Sequence, residues 1–89
     1  MIKSARITIT GKVQNVGFRY YTRKTATDLS LTGFVRNQSD GSVYIEAEGD
    51  ESNLAIFITW CHRGPAWANV REVEVQEQPL QKFQGFNVK

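Results

Sequence analysis

The sequence predicts an α+β fold in which two helices cover one face of a mixed, largely antiparallel sheet. Three observations carry this. Apolar and polar residues alternate over residues 3–10 and again from Val43 to Ala47, the period of strands with one buried face. Apolar residues recur at helical spacing from Phe18 to Leu29 and from Leu54 to Cys61. Turn and cap residues fall at the joints between these runs.

In chain order, Ala5, Ile7 and Ile9 form the buried side of a first strand, opposite Ser4, Arg6, Thr8 and Thr10. Phe18, Thr22, Thr25, Ala26 and Leu29 then make the stripe of a first helix, which Gly33 closes off. Phe34 to Asn37 is a short second strand, and Asp40-Gly41 turns the chain into a third. There Val43, Ile45 and Ala47 face the core, opposite Tyr44, Glu46 and Glu48. Asp50 is placed to cap a second helix, with Glu51 in its first turn. Its stripe is Leu54, Phe57, Ile58 and Cys61. His62 and Arg63 suit its negative end, Gly64 its C′ position and Pro65 its stop. Val73 and Val75 alternate with Glu72 and Glu74 in a fourth strand, and Phe86 and Val88 suggest a short fifth. The order β-α-β-β-α-β, with right-handed crossovers, puts both helices on one face and gives a ferredoxin-like sandwich. That architecture hosts many functions, so function must come from a site.

The chain of 89 residues has room for one core, so residues 1–89 are expected to form a single domain. With 40% hydrophobic and 22% charged residues, disorder is excluded. No apolar run approaches the ~20 residues of a membrane span, and MIKSARITIT is not a secretory leader. Cys61 is a lone thiol, which suits a reducing cytoplasm. With one Cys and one His, a zinc site is not expected. The net charge of +2 is too small to point to nucleic acid, but it is unevenly spread. Residues 1–36 hold seven bases and one acid; residues 37–89 hold four bases and eight acids. A cationic first part attracts small anions, unless these are simply solvated surface charges.

The cationic part contains GKVQNVGFRYYTRK, residues 11–24, where the first strand becomes the first helix. The opening amides of a helix have no partner within it, and its dipole is positive there, so such an end takes phosphate readily. Gly17 and Asn15 tolerate the left-handed dihedrals that turn further amides toward an anion. Arg19 adds a fork of donors matched to phosphoryl oxygens. Two plainer readings stand beside this one: glycines serve strand-to-helix turns anyway, and Arg19 could pair with a surface acid.

GKVQNVGFR resembles the acylphosphatase signature Gly-x-Val-Gln-Gly-Val-x-Phe-Arg, and GFVRNQSDGSV resembles that family's second signature, Gly-Trp-Val-x-Asn-x-x-Asp-Gly-x-Val. RGPAWANV and FQGFNV are similar to later family segments, so the likeness spans nearly the whole chain. The resemblance implies metal-independent hydrolysis of acyl phosphates, the mixed anhydrides of carboxylic and phosphoric acids, with no cofactor. It implies that Arg19 and the amides of Asn15, Val16, Gly17, Phe18 and Arg19 bind the phosphoryl group, and that Asn37 holds the attacking water. Inorganic phosphate is then product and inhibitor. The protein is expected to be a cytoplasmic monomer with no nucleic-acid or membrane partner. The competing reading is a non-catalytic phosphate-binding or regulatory module on the same fold.

Other residues read more plainly. Asn37 could instead be a turn former for the Asp40-Gly41 hairpin. Phe18 and Leu29 are core residues, Trp60 packs beside the second helix, and Cys61 is a small buried apolar residue rather than a nucleophile. Tyr20, Tyr21 and Trp67 do not fall mid-strand, where an RNA-binding sheet carries its stacking aromatics. The sequence departs from the family pattern at Asn15 and Ser30, both usually Gly, and at Phe34, usually Trp.

Overall fold

A computed structural model describes all residues from Met1 to Lys89. The elements are β1 (Ile2–Lys12), α1 (Phe18–Asp28), β2 (Thr32–Asn37), β3 (Val43–Asp50), α2 (Glu51–Arg63), β4 (Asn69–Gln78) and β5 (Phe86–Val88). The sheet order is β4-β1-β3-β2-β5. Every neighbouring pair is antiparallel except β2 with β5, which is parallel. This is the ferredoxin-like sandwich with its extra edge strand. No helix is long and apolar enough to cross a membrane.

Strand parity builds the core. Ile7 pairs with Ile45 and Val35 pairs with Ile45 from the other side, so Ala5, Ile7, Ile9, Val35, Val43, Ile45 and Ala47 all face the helices. Phe18 and Ala26 of α1 and Leu54, Phe57 and Cys61 of α2 close over them. Burying one Leu- or Phe-sized side chain stabilises by about 1.5–3 kcal/mol, so this layer dominates the fold's energy. Trp60 packs edge-on to Phe18 and stacks on Phe57, tying the start of α1 to α2.

The two helices end differently. α2 is capped by Asp50, which accepts from the Ser52 amide, and it closes on Gly64 at φ 69°. α1 closes through the amides of Ser30 and Leu31, which donate to the carbonyls of Thr27 and Ala26. That geometry puts Ser30 at φ 58°, the left-handed conformation usually left to Gly.

The outer face of the sheet is less open than simple alternation suggests. Residues 79–85 carry the chain from β4 on one edge to β5 on the other. On the way Phe83 meets the Phe34 ring edge-on, and the amides of Gln81 and Lys82 donate to the Glu48 carboxylate at 2.7 and 2.9 Å. Glu48, expected on a solvated face, is therefore only 7% exposed. Ser4 is buried beside it, bonded by Gln78. Where β5 arrives, the Gly33 amide donates to the Gly85 carbonyl. Gly33 has φ 142°, and any Cβ there would overlap the carbonyl of Glu46. A side chain would force β2 off β3.

Candidate active site

β1 ends in a bulge at Thr10/Gly11, and the chain then passes through residues 13–17 into α1. Asn15 takes φ 62° and Gly17 takes φ 79°. Left-handed residues in such a turn swing amides to one side, making a concave donor surface. No main-chain carbonyl accepts from the amides of Asn15, Val16, Gly17, Phe18, Arg19 or Tyr20; the first to find one is Tyr21, bonded to Gly17. Gly17 is the N-cap of α1 and offers no side-chain cap, and no acid stands in the first turn. The same chain caps α2 with Asp50 and Glu51. The positive end of α1 is thus left open, while that of α2 is neutralised.

Asn37 approaches this loop from β2. It pairs with Val43 and shares the parity of Gly33 and Val35, so it points to the face that carries the helices. The hairpin beyond it is held by other groups: Asp40 accepts from the amide and hydroxyl of Ser42, and Gln38 donates to the Ser42 hydroxyl. Those hydrogen bonds from Ser42 also hold the Asp40 carboxyl below its usual range. Asn37 is not consumed by the turn. It lines a cavity of about 350 Å³ together with Asn15, Gly17, Phe18, Arg19 and Arg23.

Arg19 donates from Nη1 to the main-chain oxygen of Lys89 at 3.0 Å. No Asp or Glu side chain lies within ion-pair distance of it. The chain's ion pairs join the N-terminal ammonium to Asp50, Lys3 to Glu77 and Lys24 to Asp28. Arg19 therefore does not pair with a surface Asp or Glu.

Two residues of the site have roles that the sequence does not announce. Gln14 sends Nε2 to the carbonyls of Gln38 and Ser42, at 2.7 and 2.9 Å. It thereby ties the loop to the Asn37 hairpin. Its partners are main-chain atoms, which any residue supplies, so no pattern marks them. Arg23 lies one turn after Arg19 and donates from Nε to the Phe86 carbonyl at 3.3 Å. Elsewhere, burial pushes up the Cys61 thiol, as befits a packing residue. No group of three or more His, Cys, Asp or Glu side chains is arranged to hold a metal.

Comparisons with known proteins extend over nearly the whole chain. The family profile described as Acylphosphatase matches residues 5–88. A Nocardioides acylphosphatase is 42% identical over 89 residues, covering all of this chain and 90% of that protein. A solved acylphosphatase structure from Coxiella burnetii superposes with TM-score 0.96 at 36% identity, covering 99% of this chain and 93% of its own. One from Bacillus subtilis gives TM-score 0.95 at 36% identity, covering 100% and 99%.

Proposed function

Because this chain belongs to the acylphosphatase family and hydrolyses acyl phosphates, we propose that the reaction takes place between the Asn15–Arg19 loop and Asn37. The observation that supports this most is the run of unpaired amides beside an Arg that has no Asp or Glu partner. The phosphoryl group sits on the amides of Asn15, Val16, Gly17, Phe18 and Arg19, with the Arg19 guanidinium across its equatorial oxygens. The side-chain amide of Asn37 orients a water in line with the bond to be broken.

The chemistry asks for little else. The water oxygen bonds to phosphorus, the anhydride P–O bond breaks, and the carboxylate leaves with the electron pair. A carboxylate is a stable anion and needs no acid to help it go. Phosphoryl transfer gains mainly from positioning and from charge stabilisation on the oxygens. No carboxylate or imidazole lines the cavity. The water's proton therefore passes to a phosphoryl oxygen, and the products are carboxylate and inorganic phosphate. No metal or cofactor takes part. The whole of residues 1–89 acts as one domain, a cytoplasmic monomer with a small-molecule substrate and no nucleic-acid or membrane partner.

Turnover of benzoyl phosphate by the purified chain, with chelator present, tests the assignment. Hydrolysis that survives the chelator and is inhibited competitively by inorganic phosphate supports it. Phosphate binding without turnover would make the chain a phosphate-binding module instead.

A further inference from the structure

The site holds one more cation than the phosphoryl group requires. Arg23 stands four residues beyond Arg19 and lines the same cavity, a rise of ~6 Å along the helix. The one acid of α1, Asp28, is taken by Lys24 at 3.3 Å, and neither Arg pairs with an Asp or Glu side chain. The two guanidiniums are also held apart. Arg19 docks on the main-chain oxygen of Lys89 and Arg23 on the Phe86 carbonyl. Three residues of extended chain separate those docking points by ~10 Å. Each side chain spends one nitrogen on its acceptor, and the two are not drawn onto a single anion. Arg23 keeps its two terminal nitrogens for another acceptor, one helical turn away from the phosphoryl cradle.

We propose that Arg23 is a specificity-determining residue that favours acyl phosphates whose acyl part carries a carboxylate several bonds beyond the anhydride. The inference rests on the acylphosphatase reading of the cavity. A carboxylate there meets a planar pair of donors, the geometry that an Arg fork binds best. The site is open to solvent, so the gain is modest and sensitive to salt.

Benzoyl phosphate and 4-carboxybenzoyl phosphate, compared side by side without metal, provide the test, since the para carboxylate cannot fold back on the anhydride. The wild-type kcat/KM for the carboxylated substrate is expected to be about fivefold the higher, with the difference in KM, and to converge as salt rises from ~0.05 to ~0.5 M. R23Q brings the ratio of the two substrates to about one, and R23K retains part of it. Equal kcat/KM in the wild type overturns the inference and leaves the acylphosphatase reading standing. So does an equal loss for both substrates in R23Q, which would mean that Arg23 acts only by docking β5. Failure to hydrolyse either substrate overturns the reading of the cavity and this inference with it.

Discussion

The side-chain amide of Gln14 donates to the carbonyl of Ser42 at 2.9 Å, and the same nitrogen reaches Gln38 at 2.7 Å. One residue of the proposed phosphate loop thus ties it to the hairpin that carries Asn37. Q14L removes both bonds, while each carbonyl keeps one main-chain donor, the Gly41 amide for Gln38 and the Gln38 amide for Ser42. Stability is expected to fall by about 1–2 kcal/mol. Because a displacement of ~1 Å between reacting groups costs up to ~100-fold, kcat should drop at least tenfold. Steady-state kinetics with benzoyl phosphate check this; a change confined to KM would show that the clamp does not set the catalytic distance.

Under the proposed roles, Arg19 and Asn37 should fail in different ways. R19Q removes the charge that meets the phosphoryl group, so kcat/KM is expected to fall by about 1000-fold and inhibition by phosphate to disappear together. N37A removes only the group that orients water, so kcat falls ~100-fold while KM and the phosphate inhibition constant stay within about threefold. A large KM increase at normal kcat in N37A would refute the water-orienting role.

Asn15 holds a left-handed conformation at φ 62°. Asn and Gly both accept it, whereas a β-branched residue does so at a cost of about 1–2 kcal/mol or more. N15G should keep kcat/KM within about twofold, since the amide direction survives. N15V should lose phosphate affinity and melting temperature together. Equal activity in N15V and N15G would mean that the dihedral at this position does not shape the cradle.

Ser30 occupies the left-handed closing position of α1 at φ 58°. S30G relieves that strain and is expected to add about 1 kcal/mol, raising Tm by roughly 4–8 °C in a domain of this size. It lies outside the cavity, so kcat/KM should not move. Thermal unfolding beside an activity assay reads both; an unchanged Tm contradicts the strain argument.

Acid should release the strap of residues 79–85. Burial alone would raise the Glu48 carboxyl, but hydrogen bonds from the Gln81 amide, the Ser4 hydroxyl and the Lys82 amide outweigh it and hold the group below its usual range. The folded chain then binds this proton more weakly than the unfolded chain does. Its stabilisation is complete above about pH 4.3 and is lost as the pH falls through the lower folded value. E48Q should cost about 2 kcal/mol near neutrality and flatten the decline of stability below about pH 4.3. Asp40, also held below its range, leaves part of that decline in place. Urea midpoints across that range give the comparison, and an unaltered acid slope in E48Q would assign the effect to other carboxylates.

Much of this molecule can be read from its residues, and the parts that cannot share a cause. Strand parity in the run from Gly33 to Asn37 already turns Asn37 toward the helices, and Asn in a glycine position already suggests a left-handed loop. Arg19 stands out because two motifs lie at the right distance. Gln14 stands at the Gln of the first signature, yet its partners do not stand out, nor do Arg23 and Glu48, because each of the three is bonded to main-chain atoms. A carbonyl or amide has the same chemistry in every residue, so only the fold reveals which one is near. Alternation told that Glu48 points away from the helices; it could not tell that the aperiodic stretch from Pro79 to Gly85 would cover it.

The docking of β5 against α1 also has a consequence in time. Arg19 and its acceptor at Lys89 are 70 residues apart in the chain, and Ser4 meets Gln78 across 74. On a translating ribosome the phosphate loop emerges early, whereas the strand that steadies its arginine follows only after most of the chain has been made. Partial chains therefore carry the proposed phosphate loop before the strand that meets Arg19 exists. Activity switches on in a late step set by closure of these long loops, and phosphate, by binding only the finished arrangement, should draw that step to completion.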